Sequence, residues 1–184
     1  WYIITNNANN QLIMGYDYFT NANNEQEQNQ IFLDVTDLNW HHVAFSYDKT
    51  NFKWTAYLDG VSKGTFTKEY TPTTNSILLG NNNINGGSKV ELNELRIWND
   101  VRTENEIIAN MNSVISNPNG ESNLLSYYKF DETSGTTIVD SKGNNNGTIS
   151  ETSSPTWIGS SSPLTITITG TNDAPVITST VESA

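Results

Sequence analysis

With 184 residues and a mass of 20.4 kDa, the chain has room for one ordinary domain and a short appendage, which argues against a two-lobed enzyme built around a large inter-domain cleft. Nine Lys and Arg against 20 Asp and Glu leave a net charge of -11, which repels a phosphate backbone and argues against nucleic acid as a partner. The absence of Cys removes disulfides, thiol catalysis and Cys-ligated zinc, and no apolar run approaches the roughly 20 residues that insertion into a bilayer needs.

Short runs of alternating apolar and polar residues, punctuated by Asn and Gly, predict an all-β chain. Strands are expected over residues 1–5, 11–18 and 30–36, with the Asn- and Gln-rich segment 19–30 as a polar loop or hairpin tip. Between Trp40 and Asp48, the residues Val43, Phe45 and Tyr47 share one face, and Phe52, Trp54, Ala56 and Leu58 do the same in the next run. Asp59-Gly60 then predicts a two-residue hairpin, because both positions readily take positive φ. Further strands are expected over 76–80, 89–98 and 124–131. Within 89–98, Val90 and Leu92 have one parity and Leu95 and Ile97 the other, so a bulge near Asn93 and Glu94 is needed to keep a single inward face. One helix is expected, from Thr103 to Ser113: Thr103 and Glu106 have capping-box spacing, and Ile107, Ile108 and Met111 fit one face. Gly159 to Pro163 is a Gly-Ser-Pro linker, and the Thr-Ile alternation beyond it makes another strand.

Four ordered motifs carry a family resemblance: Trp40-His41-His42-Val43-Ala44-Phe45-Ser46-Tyr47-Asp48, Ala56-Tyr57-Leu58-Asp59-Gly60, Ile77-Leu78-Leu79-Gly80 and Glu94-Leu95-Arg96-Ile97-Trp98-Asn99. Together they resemble laminin G-like domains of the concanavalin A-like superfamily, to which the pentraxins also belong. Leu125 to Glu132 and Asp140 to Thr148 look like the return segment of bacterial members. The resemblance implies a concanavalin A-like jelly-roll β-sandwich with one short helix over residues 1–159, a linker at 160–163, and a tail at 164–184. It also implies that the domain's first N-terminal strands are absent, either because the chain is part of a longer protein or because another segment supplies the missing edge. The tail, from Leu164 through Asn172-Asp173 to Ile177, resembles the junction between VCBS or cadherin-like repeats of large bacterial adhesins. That likeness implies an extracellular setting, at the cell surface or secreted, with neighbouring repeat domains in the same polypeptide.

His41 and His42 invite a metal or acid-base assignment, but consecutive strand residues point to opposite faces, so a structural role is expected. A glycoside hydrolase would need two carboxyls roughly 5 Å apart on one strand for retaining chemistry, and Glu91-Leu92-Asn93-Glu94 is the comparable cluster. It has Asn93 where a laminarinase-like motif has its central acid, and Glu94 lies inside the laminin G-like signature, so catalysis by Glu91 and Glu94 is the lesser alternative. Calcium suits the oxygen-rich loops better. The loop carrying Asn81, Asn83 and Asn85 follows the strand that leads to the ligand face in pentraxin-like relatives, and these residues are the expected ligand-binding positions. Asn172 and Asp173 are the expected calcium ligands of the repeat junction, and Asp140, with Asn144 and Asn146, is a further metal candidate that serves equally as an Asx turn. Trp1, Tyr16, Tyr18, Trp54 and Tyr57 are available as sugar platforms, although alternating aromatics more often fill a core. The resulting expectation is a non-catalytic module binding a glycan or peptide on a cell or matrix surface, calcium as its cofactor, with a purely structural spacer as the other alternative.

Overall fold

The computed structural model describes residues 2–6, 11–20, 26–37, 39–70, 76–80, 91–149, 157, 165–169 and 176–180. The strands run in chain order as β1 (Tyr2–Asn6), β2 (Gln11–Thr20), β3 (Gln26–Asp34), β4 (Val43–Asp48), β5 (Lys53–Leu58), β6 (Val61–Thr67), β7 (Ser76–Gly80) and β8 (Asn93–Trp98). Helix α1 (Glu104–Asn110) and a short 3-10 turn at Pro118–Gly120 follow, then β9 (Leu124–Tyr128), β10 (Thr137–Ile138), β11 (Gly147–Ile149), β12 (Thr165–Thr169) and β13 (Val176–Thr180). They form a three-stranded sheet, β1-β2-β3, a four-stranded sheet, β10-β11-β13-β7, and a six-stranded sheet, β6-β5-β4-β12-β8-β9.

The six-stranded sheet is the wall on which the rest is built. Its alternation sends Val43, Phe45, Tyr47, Trp54, Ala56 and Leu58 against Met14, Ile31 and Leu33 of the three-stranded sheet. At the other end, Leu95, Ile97 and Tyr128 pack with Ile138 and Ile149, and with the half-buried Ile77 and Leu79, from the four-stranded sheet. Its opposite face is covered as well: Ala44 and Tyr57 meet Ile107 of α1. These layers make the all-β sandwich that the alternation predicted.

Local chemistry explains the joints. Asp59 and Gly60 have φ of 51° and 80°, the paired positive values of a primed turn, and β5 and β6 close directly across it as Leu58↔Val61. Gly60 is required twice, since a Cβ there would stand 2.6 Å from Cγ1 of Ile108 on the helix. Helix α1 is shorter than expected, but its cap is as read: Thr103 accepts from the Glu106 N–H, and the Glu106 carboxylate accepts from the Thr103 N–H at 2.8 Å. The expected bulge falls at Glu94, where φ is 58° and the register of β8 against β12 shifts.

Three expectations change. The polar loop expected over 19–30 does not take in residues 19–20 or 26–30, because β2 and β3 still pair at Phe19↔Glu27 and Thr20↔Gln26, and residues 21–25 lie outside the described residues. Backbone groups make those ladder bonds, so Gln and Glu side chains do not prevent them. The strand expected over 89–98 is described only from Asn93, and residues 81–90 lie outside the described residues. Most consequentially, the sequence sets the tail apart from the sandwich, whereas β12 lies between β4 and β8, and β13 between β11 and β7, each parallel to both neighbours. The open ladder edges of those neighbours need partners, and Thr-Ile-Thr-Ile-Thr is a strand former with no Gly or Pro to interrupt it.

Candidate functional site

The expected ligand-binding residues Asn81, Asn83 and Asn85 lie outside the described residues, as do the expected metal ligands Asn172 and Asp173. Asp140 is described, and it is buried. Its Oδ1 accepts the N–H of Tyr127 at 2.9 Å and of Lys142 at 3.0 Å, and Oδ2 accepts the N–H of Asn145 at 3.4 Å. Its own N–H donates to Oδ1 of Asn146 at 2.9 Å. The i to i+2 bond to Lys142 is an Asx turn, and the other bonds hang the loop on β9. Both carboxylate oxygens are thus engaged by backbone donors, and a cation here would have to share them. Tyr128 seals the same loop by donating to the Asn145 carbonyl at 2.5 Å, and its burial pushes the hydroxyl pKa up to about 12.

The carboxylates of the hydrolase alternative are separated in environment. Glu91 is exposed, whereas Glu94 is buried. Glu94 pairs with Arg96 at 2.8 Å and accepts the Tyr127 hydroxyl at 2.5 Å. Arg96 also donates to the carbonyls of Asn110, at 2.8 Å, and Ser113, so its fork ties the sheet to the end of α1, where carbonyls lack intrahelical partners. Burial first, and then the bond to Glu94, raises the Tyr127 pKa well above the usual phenol range. This network holds a bulge and a helix in place, and an acid-base carboxylate must instead reach a substrate. Beside it lies a small crevice lined by His42, Arg96, Trp98, Arg102, Glu106 and Ile107. The Arg102 guanidinium lies over the Trp98 ring at 4.3 Å, which closes one side of it.

The two histidines separate as expected. His42 is buried, and desolvation first, with Arg96 nearby second, lowers its pKa to about 4. His41 sits between two half-exposed carboxylates, with Nε2 2.6 Å from Asp37 and Nδ1 2.8 Å from Asp59. Partial burial opposes its charging, but the bonds to Asp59 and Asp37 together outweigh it and raise its pKa. Asp59 also accepts the His42 N–H at 2.8 Å, so one aspartate serves the hairpin turn and both histidines. This gathering of Asp37, His41 and Asp59 is the arrangement that sequence reasoning missed. The signal available in the sequence is Asp59, whose place before Gly60 points only to a turn. No group of three or more His, Cys, Asp or Glu suited to a metal ion occurs among the described residues.

Of the aromatic platforms, Trp54 and Tyr57 are buried. Trp54 stacks on Phe66 at 5.8 Å, lies 4.6 Å from Tyr47, and donates its indole N–H to the Lys68 carbonyl at 2.9 Å, so it fills the core and does not face a ligand.

A family model of laminin G-like domains, described as the concanavalin A-like lectin/glucanases superfamily, matches residues 1–108. The chain belongs to this superfamily. Its jelly-roll sandwich and the order of its motifs agree with that membership. Among solved structures, the concanavalin A-like chain is similar to a candidate carbohydrate-binding protein from Bacteroides ovatus ATCC 8483, at 23% identity and a TM-score of 0.50. The similarity covers 72% of this chain and spans 38% of that protein's length, and it bears on the fold. No curated protein matches the chain.

Proposed function

We propose that this chain is a non-catalytic carbohydrate-binding module of a secreted, surface-associated adhesin. The observation that carries the proposal is the superfamily membership, combined with the burial of Glu94 in an ion pair with Arg96. The first supplies a scaffold used by lectins and glucanases, and the second removes one of the two carboxylates that the glucanase alternative needs. The name of the Bacteroides protein adds support for a glycan ligand. Recognition would fall to rim loops, with Asn81, Asn83 and Asn85 presenting planar amides to sugar hydroxyls. Adhesion, the extracellular setting and neighbouring repeat domains are proposed on the likeness of the tail to a repeat junction. Calcium dependence is part of the same proposal: Asn172 and Asp173 are hard oxygen donors of the kind the ion takes.

A glycan array probed in calcium and again in EDTA tests the proposal. A reproducible glycan signal supports it, and loss of that signal in EDTA supports the calcium role. Absence of binding on glycan and peptide arrays under both conditions favours a spacer. Hydrolysis of any glucan or galactan that Glu91→Gln or Glu94→Gln abolishes would establish the enzyme alternative.

A further inference from the structure

The six-stranded sheet contains a slot one strand wide. β4 is hydrogen-bonded on one edge to β5, and β8 on one edge to β9, and their other edges face each other across the position of β12. Both slot walls are interior strands: Val43 through Tyr47 and Glu94 through Trp98 are buried without a break. With β12 in place the backbone groups on these edges are paired, and an empty slot would leave two facing rows of unpaired ladder groups, which favours an occupant.

The occupant comes from far along the chain. β12 runs parallel to β4, with Ile166↔Val43, Thr167↔Ala44, Ile168↔Phe45 and Thr169↔Ser46, and parallel to β8, with Thr167↔Arg96, Ile168↔Ile97 and Thr169↔Trp98. A parallel strand cannot be delivered by a tight turn and needs a long connection. The preceding strand, β11, belongs to another sheet, and residues 150–164 join the two. Fifteen residues reach up to about 50 Å when extended, more than the diameter of a small domain. The segment Leu164 to Thr171 has no charged residue and no Pro, so once released it retains a strong tendency to pair as a strand.

From these observations we propose that β12 is an exchangeable strand: Thr165–Thr169 of one molecule enters the β4–β8 slot of a second copy, and two copies associate by swapping it. The ladder bonds are the same within a molecule and between molecules. Closure within one chain is favoured only by the effective concentration that the connection confers. The net charge of -11 opposes the encounter of two copies, so exchange rises with salt as well as with protein concentration.

The chain lacks Cys, so introduced thiols report without background. Ala44→Cys and Thr167→Cys occupy partner positions in the β4–β12 register. Carried on one full-length chain, they are expected to form an intramolecular disulfide; carried on two different chains that are unfolded and refolded together, they are expected to form a mixed disulfide that increases with protein concentration and salt. An intramolecular bond with no mixed disulfide under any condition overturns exchange, and failure of both bonds overturns occupancy of the slot. Because Ala44 is fully buried and its replacement risks misfolding, the unmodified chain supplies a second readout. Light scattering after refolding across a wide concentration range is expected to show a dimer whose amides at Thr165–Thr169 remain protected from hydrogen exchange. A chain that stays monomeric throughout, or a dimer with those amides unprotected, overturns the proposal.

Discussion

The two ends of the six-stranded sheet are stabilised by different physics. At the β4–β5–β6 end, consecutive antiparallel strands joined by short turns bury an apolar and aromatic cluster against the three-stranded sheet. At the β8–β9 end, the strands are separated in sequence by α1 and a 3-10 turn, and the sheet's outer face carries Glu94, Arg96 and Tyr127 in a buried polar network. Burial and dispersion make the first end stable with little directional demand, because apolar contacts tolerate small shifts. The second end depends on direction. Glu94 holds a φ of 58°, an unfavourable conformation for a residue with a Cβ, and the ion pair and the Tyr127 bond fix it there. A charged network is therefore placed where the chain must make an irregular bulge and a helix must dock.

Removing one partner of that network is the most severe way to break the comparison. Arg96→Met leaves the Glu94 carboxylate buried without its counter-charge and removes a donor from the carbonyls of Asn110 and Ser113, so a loss of about 3–5 kcal/mol in urea unfolding is expected. Combining it with Glu94→Gln removes the stranded charge and is expected to recover part of the loss. If the double variant is no more stable than Arg96→Met alone, the pair has no special role and the two ends differ less than argued.

At the apolar end the matching test is Leu33→Ala. Leu33 is fully buried against the β4–β5 cluster, and its truncation is expected to cost about 2–5 kcal/mol, depending on how far Met14 and Ile31 collapse into the space. The predicted contrast is one of rescue. A neighbouring enlargement such as Ala56→Val can refill this cavity in part, whereas no apolar substitution of Tyr127 rescues Arg96→Met while Glu94 stays charged.

How legible each end was follows from the same distinction. The alternation of Val43, Phe45 and Tyr47, and of Trp54, Ala56 and Leu58, is a two-residue period visible in the chain, and Asp59-Gly60 names its turn by its φ requirement. The bulge at Glu94 was also legible, because the parity of Leu92 and Leu95 conflicts. What Glu94 does was not: its partners Arg96 and Tyr127 meet it through tertiary packing, and Tyr127 is 33 positions away. The places of β12 and β13 were hidden for a similar reason, since parallel pairing leaves no turn signature and a Gly-Ser-Pro linker reads as separation. Of the candidate site residues, Asp140 reads from sequence as either a metal ligand or a turn former, because the Asp-Asn spacing suits both, and the geometry shows the Asx turn. The Asp37-His41-Asp59 cluster is invisible there because His41 and Asp59 sit on different segments brought together by the hairpin.

His42 links the two ends, since it precedes β4 and Arg96 acts on it electrostatically. Its folded pKa of about 4 lies below the ordinary 6.5, so its contribution is complete above pH 6.5 and is lost as pH falls towards 4. By about pH 5 the cost is on the order of 2 kcal/mol, and urea unfolding at that pH should show a loss that His42→Gln abolishes. A smaller effect, about 1–2 kcal/mol, is expected for Gly60→Ala, which forces a Cβ into a positive-φ position and against Ile108. Thermal melting reads it directly, and an unchanged melting temperature would show that the turn and helix yield easily.

His41 supplies the finest test, with a sign opposite to that of its neighbour. Both ring nitrogens face carboxylates, Nε2 towards Asp37 and Nδ1 towards Asp59, and a neutral imidazole has only one N–H to give. The protonated ring satisfies both, which is why its pKa is raised in the folded state. The sign follows from that shift: the contribution is complete below the unfolded value of 6.5 and disappears as pH rises through the folded pKa. The two aspartates are half-exposed, so solvent and salt screen the pair and the effect is small. The measurement is the difference in melting temperature between the wild type and His41→Gln, followed from about pH 6 to about pH 9 and repeated in high salt. The wild-type advantage is expected to shrink as pH rises and to be smaller in salt. An advantage that stays constant across that range would mean that one neutral hydrogen bond holds His41, and that the turn at Asp59 is fixed by its bond to the His42 backbone alone.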